Sequence, residues 1–216
     1  MPCRLFVIPA RSAPMAVILR RGPTHWCQVI EWDTHRDVFT NGAWFKGRIY
    51  EERCDVSPDG KLFLYFCHGG RTRPGYTDSW TAVSRPPWLH ALALWPWGTT
   101  YGGGGRFTGP RQLVLRVAMP VEPHPKHPGH GLEVTTLSRQ QHLDVHQSTK
   151  EPDTDWSGLD HGGKLVFCRA GKVFRRSRNG VDVELANFNE RRPEPVPAPE
   201  WARVPAAEGT PMRRRR

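Results

Sequence analysis

Three histidines recur at every third position of a proline-rich stretch: His124, His127 and His130, within H-P-K-H-P-G-H. In a polyproline-like segment, residues three apart lie on the same side, and imidazoles are common ligands of Zn²⁺ and Ni²⁺. The spacing therefore allows a metal site, and with it a metal-dependent hydrolase. A proline-rich loop does not by itself make three rings converge or orient them. We expect a solvated loop that binds no metal, and a protein without a cofactor.

Two further motifs could bind a ligand. His142 and His146 would share a face of a helical turn, but the glutamate of the hydrolytic H-E-x-x-H motif is missing. Gly102–Gly105 and the following Arg106 could surround an anion with backbone N–H groups. No phosphate-loop Lys-Ser/Thr pair follows, however, and G-x-S-x-G does not occur. We interpret the glycines as a turn, and we expect a protein that is not an enzyme.

The densest aromatic cluster lies between residues 88 and 101. Trp88 and Trp95 fit a hydrophobic core, whereas Trp97 stands between a proline and a glycine beside the glycine loop. Exposed aromatic side chains next to small residues are typical of partner-binding surfaces. Trp97, Tyr101 and Arg106 are therefore the predicted partner-binding residues.

The net charge of +10 is concentrated in the ends of the chain. Residues 24–190 carry 20 basic and 18 acidic side chains, whereas residues 191–216 carry seven arginines and three glutamates. A duplex-binding face needs clustered cations on the folded body. The charge therefore predicts at most weak, sequence-independent nucleic-acid binding, by the terminal Arg213, Arg214, Arg215 and Arg216.

The five cysteines form no C-x-x-C pair, and their number is odd. Neither a disulfide framework nor a four-cysteine zinc site fits this spacing, so we expect free thiols in a reducing compartment. No stretch approaches the roughly 18 apolar residues that a membrane-spanning helix requires. These features predict a cytoplasmic protein without a membrane partner.

Short apolar runs separated by turn residues predict an all-β, mostly antiparallel fold. Asn41-Gly42 predicts a hairpin turn, and Lys61–Phe66 predicts a strand buried on both faces. Residues 1–14 show no strand period, and residues 191–216 are rich in proline and arginine. We therefore predict one β-rich domain over residues 15–190, flanked by a disordered, dispensable N-terminal extension and a disordered tail.

A turn-and-strand unit occurs twice: Ser57–Gly60 followed by Lys61–Phe66, and Gly162-Gly163 followed by Lys164–Phe167. It resembles the blades of β-propellers of the WD40 and TolB kind, although the Gly-His and Trp-Asp signatures of WD40 repeats are not in their usual places. The resemblance implies a small propeller, because residues 24–190 could hold about four blades of roughly 40–50 residues. An irregular β-sandwich or barrel fits the turn spacing equally well.

These features favour a non-enzymatic accessory module that docks onto an unidentified partner protein. The predicted docking sites are the loop from Trp97 to Arg106 and an edge of the sheet. The last predicted strand, Val181–Phe188, alternates apolar and polar residues at its start, as a half-buried edge strand does.

Overall fold

The computed structural model describes residues 1–22, 24–70, 72, 74–117, 121–138, 149 and 151–205. These residues form sixteen strands in four sheets, which follow one another along the chain and are mostly antiparallel. The described strands close no barrel, and the arrangement is sandwich-like. The predicted all-β fold class is confirmed.

Sheets 1 and 2 are formed by the first half of the chain. Sheet 1 has the order β1-β2-β3-β4, with strands β1 (Arg4–Pro9), β2 (Met15–Arg21), β3 (Trp26–Asp33) and β4 (Val38–Lys46). Sheet 2 comprises β5 (Arg48–Ile49), β6 (Asp55–Val56), β7 (Phe63–His68), β8 (Ser79–Ser84) and β9 (Ala93–Pro96). β5 and β6 pair with opposite ends of β7, and a 3₁₀ turn (Glu51–Arg53) separates them.

Sheets 3 and 4 follow. Sheet 3 pairs β10 (Gly105–Phe107) antiparallel with β11 (Gln112–Val117), which pairs parallel with β12 (Glu133–Ser138). Sheet 4 is an antiparallel meander of β13 (Trp156–Leu159), β14 (Leu165–Arg169), β15 (Lys172–Arg176) and β16 (Asp182–Asn187). One short helix, α1 (Glu200–Arg203), lies beyond sheet 4 in the sequence.

Three hydrophobic cores join the sheets in the order 3-2-1-4. One core lies between sheets 1 and 2, a second between sheets 1 and 4, and a third between sheets 2 and 3. Sheets 1 and 2 are therefore covered on both faces, which explains why β2 (MAVILRR) and β7 (FLYFCH) are almost continuously buried. The expected burial is confirmed for Leu62–Phe66, whereas Lys61 is exposed and the strand itself begins at Phe63.

The predicted hairpin at Asn41-Gly42 is wrong, because both residues lie inside β4. The chain instead turns between β3 and β4, where Asp37 has a φ of 56°. Gly42 serves a different purpose: a Cβ there would lie 2.1 Å from the carbonyl oxygen of Pro87, and Ala43 N donates to that oxygen at 3.0 Å. The glycine permits a close backbone approach at a strand irregularity.

The predicted N-terminal extension over residues 1–14 is also wrong. Arg4–Pro9 forms β1, which pairs with β2 along its whole length, and Leu5, Val7 and Ile8 are buried. The run lacks polar–apolar alternation because β1 is covered on both faces, by sheets 2 and 4. The absence of alternation was therefore a sign of full burial rather than of disorder.

The predicted disorder of residues 191–216 is wrong for residues 191–205, and residues 206–216 lie outside the described residues. Ala202 of α1 is fully buried, and the Arg85 guanidinium donates to the Val204 carbonyl at 3.3 Å. The proline-rich composition gave no sign of the burial of Ala202 or of the Arg85 hydrogen bond, which together hold this segment.

Candidate functional site

Arg48, Tyr50 and Arg53 form a stack of cationic and aromatic side chains, and exposed Tyr101 lies in the loop that Arg53 contacts. These four residues are called here the Arg–Tyr surface. The Arg48 guanidinium lies over the Tyr50 ring at 4.9 Å from its centroid, and that of Arg53 lies over the same ring at 5.2 Å. Nη1 of Arg53 donates to the carbonyls of Thr100 at 2.8 Å and Gly102 at 3.0 Å. These contacts connect the end of β5 to the loop that carries Tyr101.

Local backbone structure sets these positions. The Tyr50 amide donates to the Phe66 carbonyl at 2.9 Å, which fixes Tyr50 beside β7. The 3₁₀ turn then interrupts the edge of the sheet, with Arg53 N donating to Tyr50 O at 2.9 Å, and the chain continues in the same direction as β6. The Arg53 guanidinium consequently lies 5.3 Å from the centroid of the Phe66 ring, as well as over Tyr50.

The glycine loop is buried and closely packed. A Cβ at Gly103 would lie 2.3 Å from the Phe66 ring, and one at Gly104 would lie 2.4 Å from the Arg53 carbonyl oxygen. The Gly103 amide donates to Arg116 O at 3.0 Å, and the Gly104 amide donates to Thr81 Oγ1 at 2.8 Å. Two N–H groups that an anion would need are therefore already bonded, and the loop serves packing, as a turn interpretation implies.

The three predicted partner-binding residues have different surroundings in the structure. Tyr101 is 69% exposed and belongs to the Arg–Tyr surface. Trp97 was expected outside the core, but it is half-buried, and its indole N–H donates to the fully buried Thr81 at 2.8 Å. Arg106 projects from the face of β10 opposite to buried Phe107. The residues that sequence reasoning missed are Arg48, Tyr50 and Arg53, which lie 44 or more positions before Trp97 in the sequence, and no motif marks them.

The predicted histidine loop covers an edge of sheet 2. The His124 amide donates to Leu94 O at 2.7 Å, and the Leu94 amide donates to His127 O at 3.1 Å. Ala93 and Pro128 add an antiparallel bridge. The loop thus satisfies the backbone groups of the edge strand β9, a structural role that prevents unwanted pairing with other chains.

The side chains of His124 and His127 contact neighbouring groups of the protein. Nδ1 of His127 lies 2.8 Å from Ala91 O, and Nε2 lies 3.1 Å from the Tyr76 hydroxyl. A carbonyl can only accept, so Nδ1 carries the hydrogen and Nε2 accepts from Tyr76. His124 stacks on Tyr76 with ring centroids 4.2 Å apart. Burial lowers the pKa of His127.

The three histidines do not converge. The ring centroids of His124 and His127 are 5.5 Å apart. Exposed His130 instead lines a small apolar cavity with Leu62, Val83 and Pro205. Within the described residues, no group of three or more His, Cys, Asp or Glu side chains could hold a metal ion. His142, His146 and Arg213–Arg216 lie outside the described residues.

The buried ionisable groups also serve the fold. Asp55 is 1% exposed and accepts from Arg11 Nη1 at 3.2 Å and from the Phe107 amide at 2.6 Å, so it links sheets 1, 2 and 3. Burial raises the pKa of Asp55. All five cysteines are free and buried, and burial raises the pKa of Cys27 to about 12. Thiols in such surroundings are unreactive.

Two further findings concern membrane-spanning helices and similarity to other proteins. Within the part of the chain that the structure describes, no helix has the length and apolarity needed to cross a membrane. No protein-family model, curated protein or solved structure matches this chain.

Proposed function

We propose that this protein is a non-enzymatic module that docks onto an acidic partner protein through the Arg–Tyr surface. The observation that carries the proposal is the fixed stack of Arg48, Tyr50 and Arg53 beside exposed Tyr101. Arginine and tyrosine are among the residues that contribute most to binding at protein interfaces. Their combination on one surface supports docking better than catalysis.

The stack is ordered before a partner binds. Arg53 is held by two carbonyls and two aromatic rings, so little side-chain entropy remains to be lost on association. Arg48 is exposed, and its guanidinium lies over the Tyr50 ring at 4.9 Å from the centroid, where a partner can reach it. A planar guanidinium in this position suits a bidentate carboxylate. Asp or Glu side chains of the partner are therefore the complementary groups.

Affinity capture from the source organism, with quantification of co-purifying proteins, tests this proposal. Tyr101→Ala and Arg48→Gln should each reduce the recovery of the same protein by about tenfold, the effect of losing one interface hot spot. Val38→Ala is the matched control, because Val38 is also exposed, at the first residue of β4. Recovery that is equal in all variants, or absent in the wild type, would contradict the proposal.

We also propose a propeller-like arrangement, in which each sheet is one blade. The sheets follow one another along the chain, and a strand at one edge of each sheet lies beside such a strand of the next: β1 contacts β6 and β13, and β6 contacts β10. This is the relationship that inner strands of neighbouring blades have around a propeller axis. A crystal structure tests the proposal: sheets 3 and 4 packed face to face would support a ring, and solvent between them would support an open stack.

Finally, we propose a cytoplasmic location, supported by the five free thiols. Fluorescent tagging with fractionation would test it. Recovery of the protein in an oxidising compartment would contradict this location.

A further inference from the structure

Two arginines project from the same outward face of sheet 3. Arg106 precedes Phe107 in β10, and Arg116 lies between Leu115 and Val117 in β11. Phe107, Leu115 and Val117 pack into the core shared with sheet 2. Because side chains alternate along a strand, Arg106 and Arg116 both project away from sheet 2.

The strand register makes the two arginines neighbours. Arg106 is directly opposite Val114, and Arg116 follows two residues later on the same strand. Pairs related in this way in antiparallel strands lie roughly 7–8 Å apart, within reach of long side chains. The Arg116 amide also donates to Gly104 O at 2.9 Å, which fixes the register at this end. The two guanidinium groups can therefore contact one small ligand together.

Neither charge is balanced by the described residues. Among the described residues, buried Nε of Arg106 and buried Nε of Arg116 have no hydrogen-bond partner, and no carboxylate forms an ion pair with either side chain. The charge of Arg176 in sheet 4, by contrast, is balanced by two carboxylates, Glu151 at 2.7 Å and Asp182 at 2.8 Å. Burying an unpaired donor is unfavourable, and so is placing like charges side by side.

We propose that Arg106 and Arg116 form a binding site for a phosphate group. Guanidinium groups bind tetrahedral oxyanions through paired N–H donors, and a dianion would neutralise both arginines. The donors are the two side chains, because Gly103 and Gly104 already donate their amides elsewhere. The site uses none of the residues of the Arg–Tyr surface, so the test of phosphate binding is independent of the docking proposal.

Calorimetric titration of the full chain with inorganic phosphate, at an ionic strength held constant with chloride, tests the site. The wild type should bind phosphate saturably, and phosphate at about ten times Kd should raise Tm by roughly 2–4 °C. Arg106→Gln and Arg116→Gln should each weaken binding by about tenfold or more. In chloride alone, both variants should be at least as stable as the wild type, since each removes a repulsion.

Arg178→Gln is the matched control, because it removes the same charge from an exposed position beyond β15. It should leave phosphate affinity unchanged. Adenosine monophosphate in place of phosphate distinguishes two sources of the same group: a clear gain in affinity supports a phosphate ester, and equal affinity supports the free anion. Binding that is absent in the wild type, or equal in all variants, would overturn the site.

Discussion

The amide of Cys3 donates a hydrogen bond at 3.0 Å to Oδ1 of Asn189, which lies 186 residues away. Nδ2 of the same Asn189 donates to Ala170 O at 2.9 Å. The side chain thus joins the beginning of sheet 1 to the end of sheet 4. Gly171 makes room for it, since a Cβ there would lie 2.1 Å from the asparagine oxygen. This contact links the residues before β1 to the segment that follows β16.

Asn189→Ala should destabilise the protein by about 1–3 kcal/mol, because a backbone donor and a backbone acceptor both lose their partner. The midpoint of urea unfolding measures the change. Asn41→Ala, at an exposed position of β4, is the control and should stay within about 0.5 kcal/mol of the wild type. An Asn189→Ala variant as stable as the control would mean that the contact is dispensable.

Arg20 is 2% exposed, and its guanidinium donates to main-chain carbonyls, among them those of Gly22 at 3.0 Å and Phe188 at 2.8 Å. Arg20→Met keeps the aliphatic volume but removes every donor. We expect a loss of about 3 kcal/mol or more, because several buried carbonyls would lose their partner. In limited proteolysis, the segment that follows Phe188 should be cleaved sooner in this variant than in the wild type. Unchanged cleavage would contradict this role for Arg20.

Gly103→Ala should destabilise the protein more than Gly70→Ala does. Both glycines have positive φ, at 89° and 66°, but only at Gly103 would a Cβ collide with a neighbour, the buried Phe66 ring. Gly70→Ala therefore measures backbone strain alone, about 1 kcal/mol, and Gly103→Ala adds overpacking of roughly 1–3 kcal/mol. Equal losses in thermal unfolding would show that the loop can move away from Phe66.

His127 should make stability depend on pH. Burial lowers its pKa below the ordinary value of about 6.5, and neighbouring His124 and Lys126 lower it further. The fold therefore favours the neutral ring: this stabilisation is complete above about pH 6.5 and is lost as the pH falls through the lowered pKa. His127→Gln should show a smaller loss of Tm on acidification than the wild type, and exposed His35→Gln should not. Identical pH profiles for all three proteins would contradict this.

The fold class could be predicted because turn residues and apolar runs are local signals. Ser57–Gly60 is an example: its turn is closed by Gly60 N donating to Ser57 O at 2.8 Å, and Leu62 N donates to Ser57 Oγ at 2.9 Å. β1 could not be predicted in the same way. Its run Leu5–Ile8 is apolar at every position because sheets cover both faces, and those sheets are formed by distant parts of the chain.

The candidate site was only partly predictable for the same reason. Tyr101 was identified from its local setting beside small residues. Its neighbours Tyr50 and Arg53 reach it only because the 3₁₀ turn brings Arg53 to the carbonyls of Thr100 and Gly102. Flanking Pro96 and Gly98 predicted that Trp97 lies outside the core, and among the described residues it belongs to none of the three core clusters, although it is half-buried. Its hydrogen bond to Thr81 of β8 depends on strand pairing that no local pattern reveals.

Site-specific photo-crosslinking at Tyr101 in living cells tests whether the Arg–Tyr surface docks a partner protein. A photoreactive phenylalanine at position 101 should give one dominant covalent adduct with a partner protein, and Arg48→Gln in the same chain should reduce its yield by about tenfold. The same probe at exposed Val38 should give no such adduct. No adduct at position 101, or an equal yield at both positions, would contradict the claim.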